Sequence, residues 1–210
     1  MGNFPVIVFD FETTGLSPRR GDRAIEIGAV LVENGRIIDR FHSLMNPAIF
    51  VSSFIEGLTG ISNAMVQGAP GSAEVMAGFA DFIGQHPLVA HNAPFDARFL
   101  DAELAHIGRE RINETVCTLR VARRIYPHLS THKLEALVRY KKLQVKGTFH
   151  RAAADADMTA RLWLAMIEDV KRLYGLSELS LEAIQRLSRI SKVKAQALDV
   201  LIAPACPLSL

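Results

Sequence analysis

Cysteine is scarce in this chain. Its 210 residues include two, Cys117 and Cys206, far apart and in no Cys-x-x-Cys pair, so neither a disulfide framework nor a cysteine zinc site is indicated. Long apolar runs are missing as well, and without a stretch of about 18 apolar residues no membrane-spanning helix is expected. The N-terminus has no basic segment followed by an apolar core and a cleavage site, and Val6 stands where a myristoylation signal wants Ser or Thr. The expectation is a cytoplasmic protein with no membrane partner. Net charge is also small, +2, which by itself says little about polyanions. Its distribution says more. Between Arg120 and Arg151 the cations Arg120, Arg123, Arg124, Lys133, Arg139, Lys141, Lys142, Lys146 and Arg151 face a single acid, Glu135. That stretch reads either as a solvated helical face or as a surface that tracks phosphates.

What is present is centred on Val6-Ile7-Val8-Phe9-Asp10-Phe11-Glu12-Thr13-Thr14-Gly15. The β-branched and aromatic run predicts a strand buried on both faces, as in the middle of a mixed sheet. Strand residues two apart share a face, so Asp10 and Glu12 project side by side. Two carboxylates that close repel unless a cation lies between them. A divalent metal would neutralise them. The alternative is an Asp10 satisfied by backbone N–H groups and a Glu12 that merely starts the turn.

Composition, 49% hydrophobic and 22% charged, is that of a globular protein, and the length suits one α/β domain with a tail. After a loop punctuated by Pro18 and Gly21, alternation from Ala24 to Glu33 and again from Arg36 to Met45, joined at Asn34-Gly35, predicts a hairpin. Residues 46–70 read as a connector with short helical pieces, and Ser72–Gly84 as a helix burying Val75, Phe79, Phe82 and Ile83. Leu88-Val89-Ala90 is a short strand. Asn92 is the expected N-cap of a helix Pro94–His106 that buries Phe95, Phe99 and Ala102 and carries Asp96 in its first turn, where the helix dipole favours an acid anyway. A strand Val116–Leu119 and helices Leu119–Ile125 and His132–Tyr140 follow. A long helix from Ala152 to Leu173 carries a stripe of Asp155, Met158, Thr159, Leu162, Ala165, Met166 and Leu173, with His150 just before it. An acid on that inner face wants a partner, either backbone donors or the metal postulated for Asp10 and Glu12.

Read together, these places resemble the DEDD 3′–5′ exonucleases, in the branch that carries a histidine. Asp10-Phe11-Glu12-Thr13-Thr14-Gly15 is similar to that family's Asp-x-Glu-Thr-x-Gly, Asn92 to Asp96 to its Asn-x-x-x-Asp, and His150 to Asp155 to its His-x-x-x-x-Asp. Leu58-Thr59-Gly60-Ile61 and Thr118-Leu119 also look like the family, while Cys117 departs from it where many relatives have an acid. The resemblance spans roughly Phe4 to Leu173. It implies a ribonuclease-H-like α/β fold with a mixed five-stranded sheet flanked by helices, and two divalent ions, Mg²⁺ or Mn²⁺, as cofactors. It further implies that Asp10 bridges the ions, that Glu12 and Asp155 hold one and Asp96 the other, and that His150 is the general base. Thr13, Thr14, Gly15, Leu16 and Asn92 would then meet the 3′-terminal nucleotide, with Leu16 offering an apolar surface to its base. The implied substrate is single-stranded DNA 3′ ends, with RNA as the alternative, and the enzyme resembles the proofreading subunit of bacterial DNA polymerase III. Residues 1–174 are expected to form the exonuclease domain. In 175–210, Leu181, Ile184 and Leu187, then Val193, Ala197, Val200 and Leu201, predict two short helices, packed on the domain or used to dock a polymerase subunit.

Overall fold

The computed structural model describes residues 4–144 and 149–190. Five strands, β1 (Val6–Thr13), β2 (Ala24–Glu33), β3 (Arg36–Leu44), β4 (Leu88–Ala90) and β5 (Thr115–Cys117), form one sheet in the order β3-β2-β1-β4-β5. β1 is central, antiparallel to β2 and parallel to β4, so the mixed sheet that the resemblance implies is present. β4 runs parallel to β5. The Asn34-Gly35 turn joins β2 to β3 with both residues at positive φ, the conformation a two-residue hairpin needs.

Period-two alternation along β1 sorts its side chains between two cores. Ile7, Phe9 and Phe11 face α3 (Ser72–Ile83) and α4 (Ala93–His106), where Phe79 and Phe99 are fully buried. Val6 and Val8 face the other side, where α5 (Thr118–Ile125), α6 (Leu134–Tyr140), α7 (Ala152–Tyr174) and α8 (Leu181–Arg189) close over Trp163. Two short helices, α1 (Ser53–Thr59) and α2 (Asn63–Gln67), cover a third, smaller cluster around Ile25 and Ile61. Asp10 and Glu12 continue the Val6–Val8 row, on the face of the sheet that meets α7. Among the described residues no helix is long and apolar enough to cross a membrane.

Several local expectations change. The inner face of α7 is set by Trp163, Ile167 and Val170 beside Met158, Leu162 and Met166, whereas Leu173 is exposed and Ala165 half-buried. A helix wedged between sheet and neighbouring helices buries a wider arc than one stripe. In α4 Glu103 is buried and Ala102 only half-buried, because Glu103 accepts from the Arg23 guanidinium at 2.8 and 2.7 Å and from the Ala24 N–H at 3.0 Å. The last strand ends at Cys117, since Thr118 and Leu119 already belong to α5. Cys117 is buried, as a small core residue should be. α8 buries Ala183, Ile184 and Leu187 in the same core as Val89, Val116 and Trp163. The second tail helix expected around Val193–Leu201, Cys206 and Lys146 lie outside the described residues.

The first turn of α7 rests directly on β2. A Cβ at Gly28 would overlap the backbone of Ala152 and Ala153, so only glycine permits this approach. Gly28→Ala is therefore expected to destabilise the chain by about 3 kcal/mol, read as a lower urea midpoint with an unchanged slope. A midpoint equal to wild type would show that α7 can shift without cost.

Candidate active site

Three chain segments bring acids to the carboxyl ends of the parallel pair β1 and β4. β1 supplies Asp10 and Glu12, the first turn of α4 supplies Asp96, and the first turn of α7 supplies Asp155. With His150 and Asn92 they line one cleft of about 1050 Å³. Asp96 is 2% exposed, and its Oδ1 accepts the Phe11 N–H at 3.2 Å, which ties α4 to the centre of β1. Asp155 Oδ2 accepts the His150 N–H at 2.8 Å, whereas its Oδ1 is buried with no hydrogen-bond partner. One ligand atom from each of Glu12, His150 and Asp155 lies within 4.8 Å of the other two.

The electrostatics of this cluster are unfavourable without a cation. Burial, then repulsion from Asp96, Asp155 and Glu12, pushes the Asp10 carboxyl well above its ordinary range. Burial and the nearby Asp155 push Glu12 up to about 8. Burial raises Asp96 to about 8 against the opposing bond from Phe11. Asp155 is raised by burial too, although the His150 N–H resists the shift. Nearby Glu26 is a control within the same molecule. It is fully buried, yet hydrogen bonds from Arg151, His42 and the Ala152 N–H outweigh its burial and hold it below the usual value. A buried acid with enough donors stays charged; this cluster has few. The orphaned Asp155 oxygen and the hard carboxylate donors, with no thiolate among the residues that line the cleft, suit a divalent cation of the Mg²⁺ or Mn²⁺ type.

Two residues of the cleft adopt left-handed backbone without being glycine, Asn92 at φ 68 and His150 at φ 64. Such conformations cost roughly 1–3 kcal/mol each and persist where the surroundings impose them. Asn92 stands at the N-cap position of α4, but its side chain makes no capping bond, contrary to expectation. In the left-handed conformation it leaves the capping role and turns the chain from β4 into α4.

Thr13, Thr14, Gly15 and Leu16 continue beyond Glu12 but do not line the cleft. Thr13 Oγ1 donates to the Gly15 carbonyl at 2.7 Å, and Thr14 Oγ1 accepts the Arg23 N–H at 3.0 Å. Gly15 has a structural reason of its own: a Cβ there would overlap the carboxylate of Asp22, which accepts the Ser17 N–H at 2.9 Å. Leu16 is 78% exposed, an apolar side chain left in solvent beside the site.

Sequence reasoning passed over His91 and the 129–135 wall of the cleft. His91 is pushed down to about 4 by burial, so its ring is neutral near pH 7. Its Nε2–H donates to the His132 carbonyl at 2.9 Å, which leaves Nδ1 to accept from the Thr118 hydroxyl at 2.9 Å. That pair fastens the wall to β4 and α5. The order His91-Asn92 at a strand-to-helix junction was the available signal, but the wall lies about forty residues away in sequence. The basic stretch divides. Arg123 and Lys133 line the cleft, Arg124 donates to the Ile190 carbonyl at 2.6 Å, and Lys141 pairs with Asp169.

Residues 7–163 match the family described as Exonuclease (RNase_T). The chain belongs to the exonuclease family. It is 36% identical over 198 residues to the PolC-type DNA polymerase III of Caldanaerobacter subterraneus, a match covering 93% of this chain and 14% of that one. The chain thus spans about one-seventh of the length of that relative. It is 32% identical over 173 residues to the DNA polymerase III subunit epsilon of Aquifex aeolicus, covering 82% of this chain and 85% of the relative. Among solved structures, Exonuclease X in complex with 5′ overhanging duplex DNA superposes with a TM-score of 0.69 at 28% identity, over 87% of this chain and 99% of that one.

The raised carboxyls set a pH dependence. A folded protein that keeps protons the unfolded chain gives up loses stability as pH rises, here between the ordinary values of 3.8 and 4.5 and the folded values near 8. Chelator-treated protein should lose roughly 5 °C or more of thermal midpoint from pH 5 to pH 8. Mg²⁺ or Mn²⁺ should restore more at pH 8 than at pH 5, and Asp96→Asn should flatten the decline. A midpoint that rises over this range without metal would refute the electrostatic reading.

Proposed function

We propose that this chain is a metal-dependent 3′–5′ exonuclease that hydrolyses phosphodiester bonds at single-stranded DNA 3′ ends and releases nucleoside 5′-monophosphates. The observation that carries the proposal is the convergence of Asp10, Glu12, Asp96, Asp155 and His150 on one cleft in a chain of the exonuclease family. Asp10, Glu12, Asp96 and Asp155 would hold two divalent ions. Such ions, when bound, lower the barrier to phosphodiester hydrolysis by stabilising the attacking and leaving oxygens.

The side chains of the protein do the rest. His150 stands exposed at the mouth of the cleft, next to Glu12 and Asp155, and accepts the proton of the attacking water. The positioned carboxylates orient that water, so reaction entropy is lost on binding rather than in the transition state. Arg123 and Lys133, which line the same cleft, attract the backbone phosphates. Leu16, exposed beyond Glu12, gives the terminal base an apolar surface, while Thr13, Thr14, Gly15 and Asn92 border its sugar and phosphate. We assign 1–174 to the exonuclease domain and 175–210 to a helical tail, whose first helix α8 shares the core. Docking of a polymerase subunit through the tail would not use the apolar face of α8, which is buried in the core. The cytoplasm is the compartment consistent with this role.

Matched 5′-labelled DNA and RNA oligonucleotides should shorten from their 3′ ends in Mg²⁺ or Mn²⁺, DNA faster than RNA, and not at all in chelator. Faster RNA trimming would make the chain an exoribonuclease; no digestion of either by metal-loaded protein would defeat the proposal. Asp10→Ala should abolish both metal binding and turnover. His150→Ala should keep metal and oligonucleotide affinity while losing about 10²- to 10⁴-fold in rate, the usual worth of a general base. If it loses metal as badly as Asp10→Ala, the imidazole is a ligand instead.

The partition of the basic stretch gives a separate test. Arg123→Ala with Lys133→Ala should weaken oligonucleotide binding and flatten its salt dependence by up to two phosphate contacts in slope, with the fold intact. Arg124 is left out because it holds α8. An unchanged salt slope would make the two cations a solvated face.

A further inference from the structure

Glu26 lies on β2 directly opposite Glu12, yet it takes no part in the cleft. Its carboxylate is wholly buried and receives donors from three other residues. His42 Nε2 lies at 2.8 Å, Arg151 reaches it through Nη2 at 2.8 Å and Nε at 3.2 Å, and the Ala152 N–H donates at 2.9 Å. Gly28, two residues along on the same face and opposite Asp10, leaves room for the backbone of Ala152 and Ala153. Glu26 and Gly28 together make a seat on the sheet for residues 151–153.

The two cleft residues contributed by this region flank the seat. His150 precedes Arg151 and holds a left-handed φ of 64, while Asp155 lies one turn later and donates its backbone N–H to the Arg151 carbonyl at 2.9 Å. His150 and Asp155 are joined by the His150 N–H at 2.8 Å. Neither side chain has another described contact that would fix the pair relative to Glu12. A one-residue slip or a rotation of the first turn of α7 would move both.

We infer that Glu26, acting through Arg151 and the Ala152 N–H, is a positioning residue that fixes His150 and Asp155 against Glu12. The role as a whole rests on the exonuclease reading, whereas the seating of residues 150–156 can be observed without turnover. A planar carboxylate facing a guanidinium fork defines direction as well as distance, which a point charge would not. Glu26→Gln keeps the volume of the side chain but removes its charge and one of its two acceptor oxygens.

The experiment uses the full chain. In metal-free protein, hydrogen exchange of residues 150–156 should speed up at least tenfold in Glu26→Gln, while β1 and α4 keep their protection. In Mg²⁺, kcat on a labelled single-stranded oligonucleotide should fall 10- to 100-fold with KM within twofold, the scale seen when a residue supporting ligands is lost. On a His150→Ala background the same change should cost less than it does in wild type, because one of the two groups it would misplace is already gone. Arg151→Lys, which keeps the charge and loses the fork, should give the same pattern and serves if Glu26→Gln fails to fold. Unchanged exchange at 150–156 overturns the inference, as does an equal rate loss with and without His150. If wild-type protein degrades no oligonucleotide but exchange at 150–156 still rises, the seat stands and the exonuclease reading falls.

Discussion

Mutual repulsion among buried carboxylates is the constraint on which this structure turns. Glu12, Asp96 and Asp155 are buried where they meet the half-buried Asp10, and Asp10, Glu12 and Asp96 are pushed upward first by burial and also by neighbouring carboxylates. Folding could have relieved this by supplying donors, as it does for Glu103 and Glu26, each of which has an arginine and a backbone N–H. At the cleft it supplies few, and one Asp155 oxygen has none. The two acids on helices sit in first turns, where the dipole favours negative charge, but that effect is worth only about 0.3–1 kcal/mol at a helix end. The remaining demand is for a cation, and the site is built around that demand.

The sheet explains why the acids can meet at all. β1 and β4 are parallel neighbours, and chains leaving parallel strands turn outward at their carboxyl ends, opening a crevice there. β1 ends with acids on the face that meets α7, and β4 passes through a left-handed Asn92 into α4, so Asp96 arrives from the side. The 129–135 wall closes the crevice through the neutral His91 and its bond to His132. Each cleft element is held by a feature outside the chemistry: Gly28 and Glu26 for α7, the Phe11 N–H for α4, His91 for the wall.

Positive charge is divided by the same logic. Of the cations between Arg120 and Arg151, Arg124, Arg139, Lys141 and Arg151 are engaged with Ile190, Glu135, Asp169 and Glu26. Arg123 and Lys133 border the cleft and make no ion pair among the described residues. The basic run thus contains cations engaged within the domain and two that face the cleft. Only spatial neighbours distinguish them, because lysine and arginine serve both uses.

The sequence by itself determined the central strand, the Asn34-Gly35 hairpin and the long last helix of the domain, signals of period and type: β-branched runs, alternation and a turn dipeptide. Its motif resemblance, rather than periodicity, singled out Asp10, Glu12, Asp96, Asp155 and His150 as candidates, which the fold brings to one cleft. Tertiary structure alone decided that Glu103 and Glu26 are satisfied structural acids while Asp96 and Asp155 face the cleft, since all four look alike as carboxylates on otherwise apolar faces. It decided that Gly15 and Gly28 are glycines because of Asp22 and of α7, that Asn92 turns rather than caps, and that His91 anchors a loop about forty residues away. The physical reason is one of range. Periodicity and turn chemistry are written in neighbouring residues, whereas a donor for a buried oxygen or an overlap at a missing Cβ depends on segments that only folding brings together.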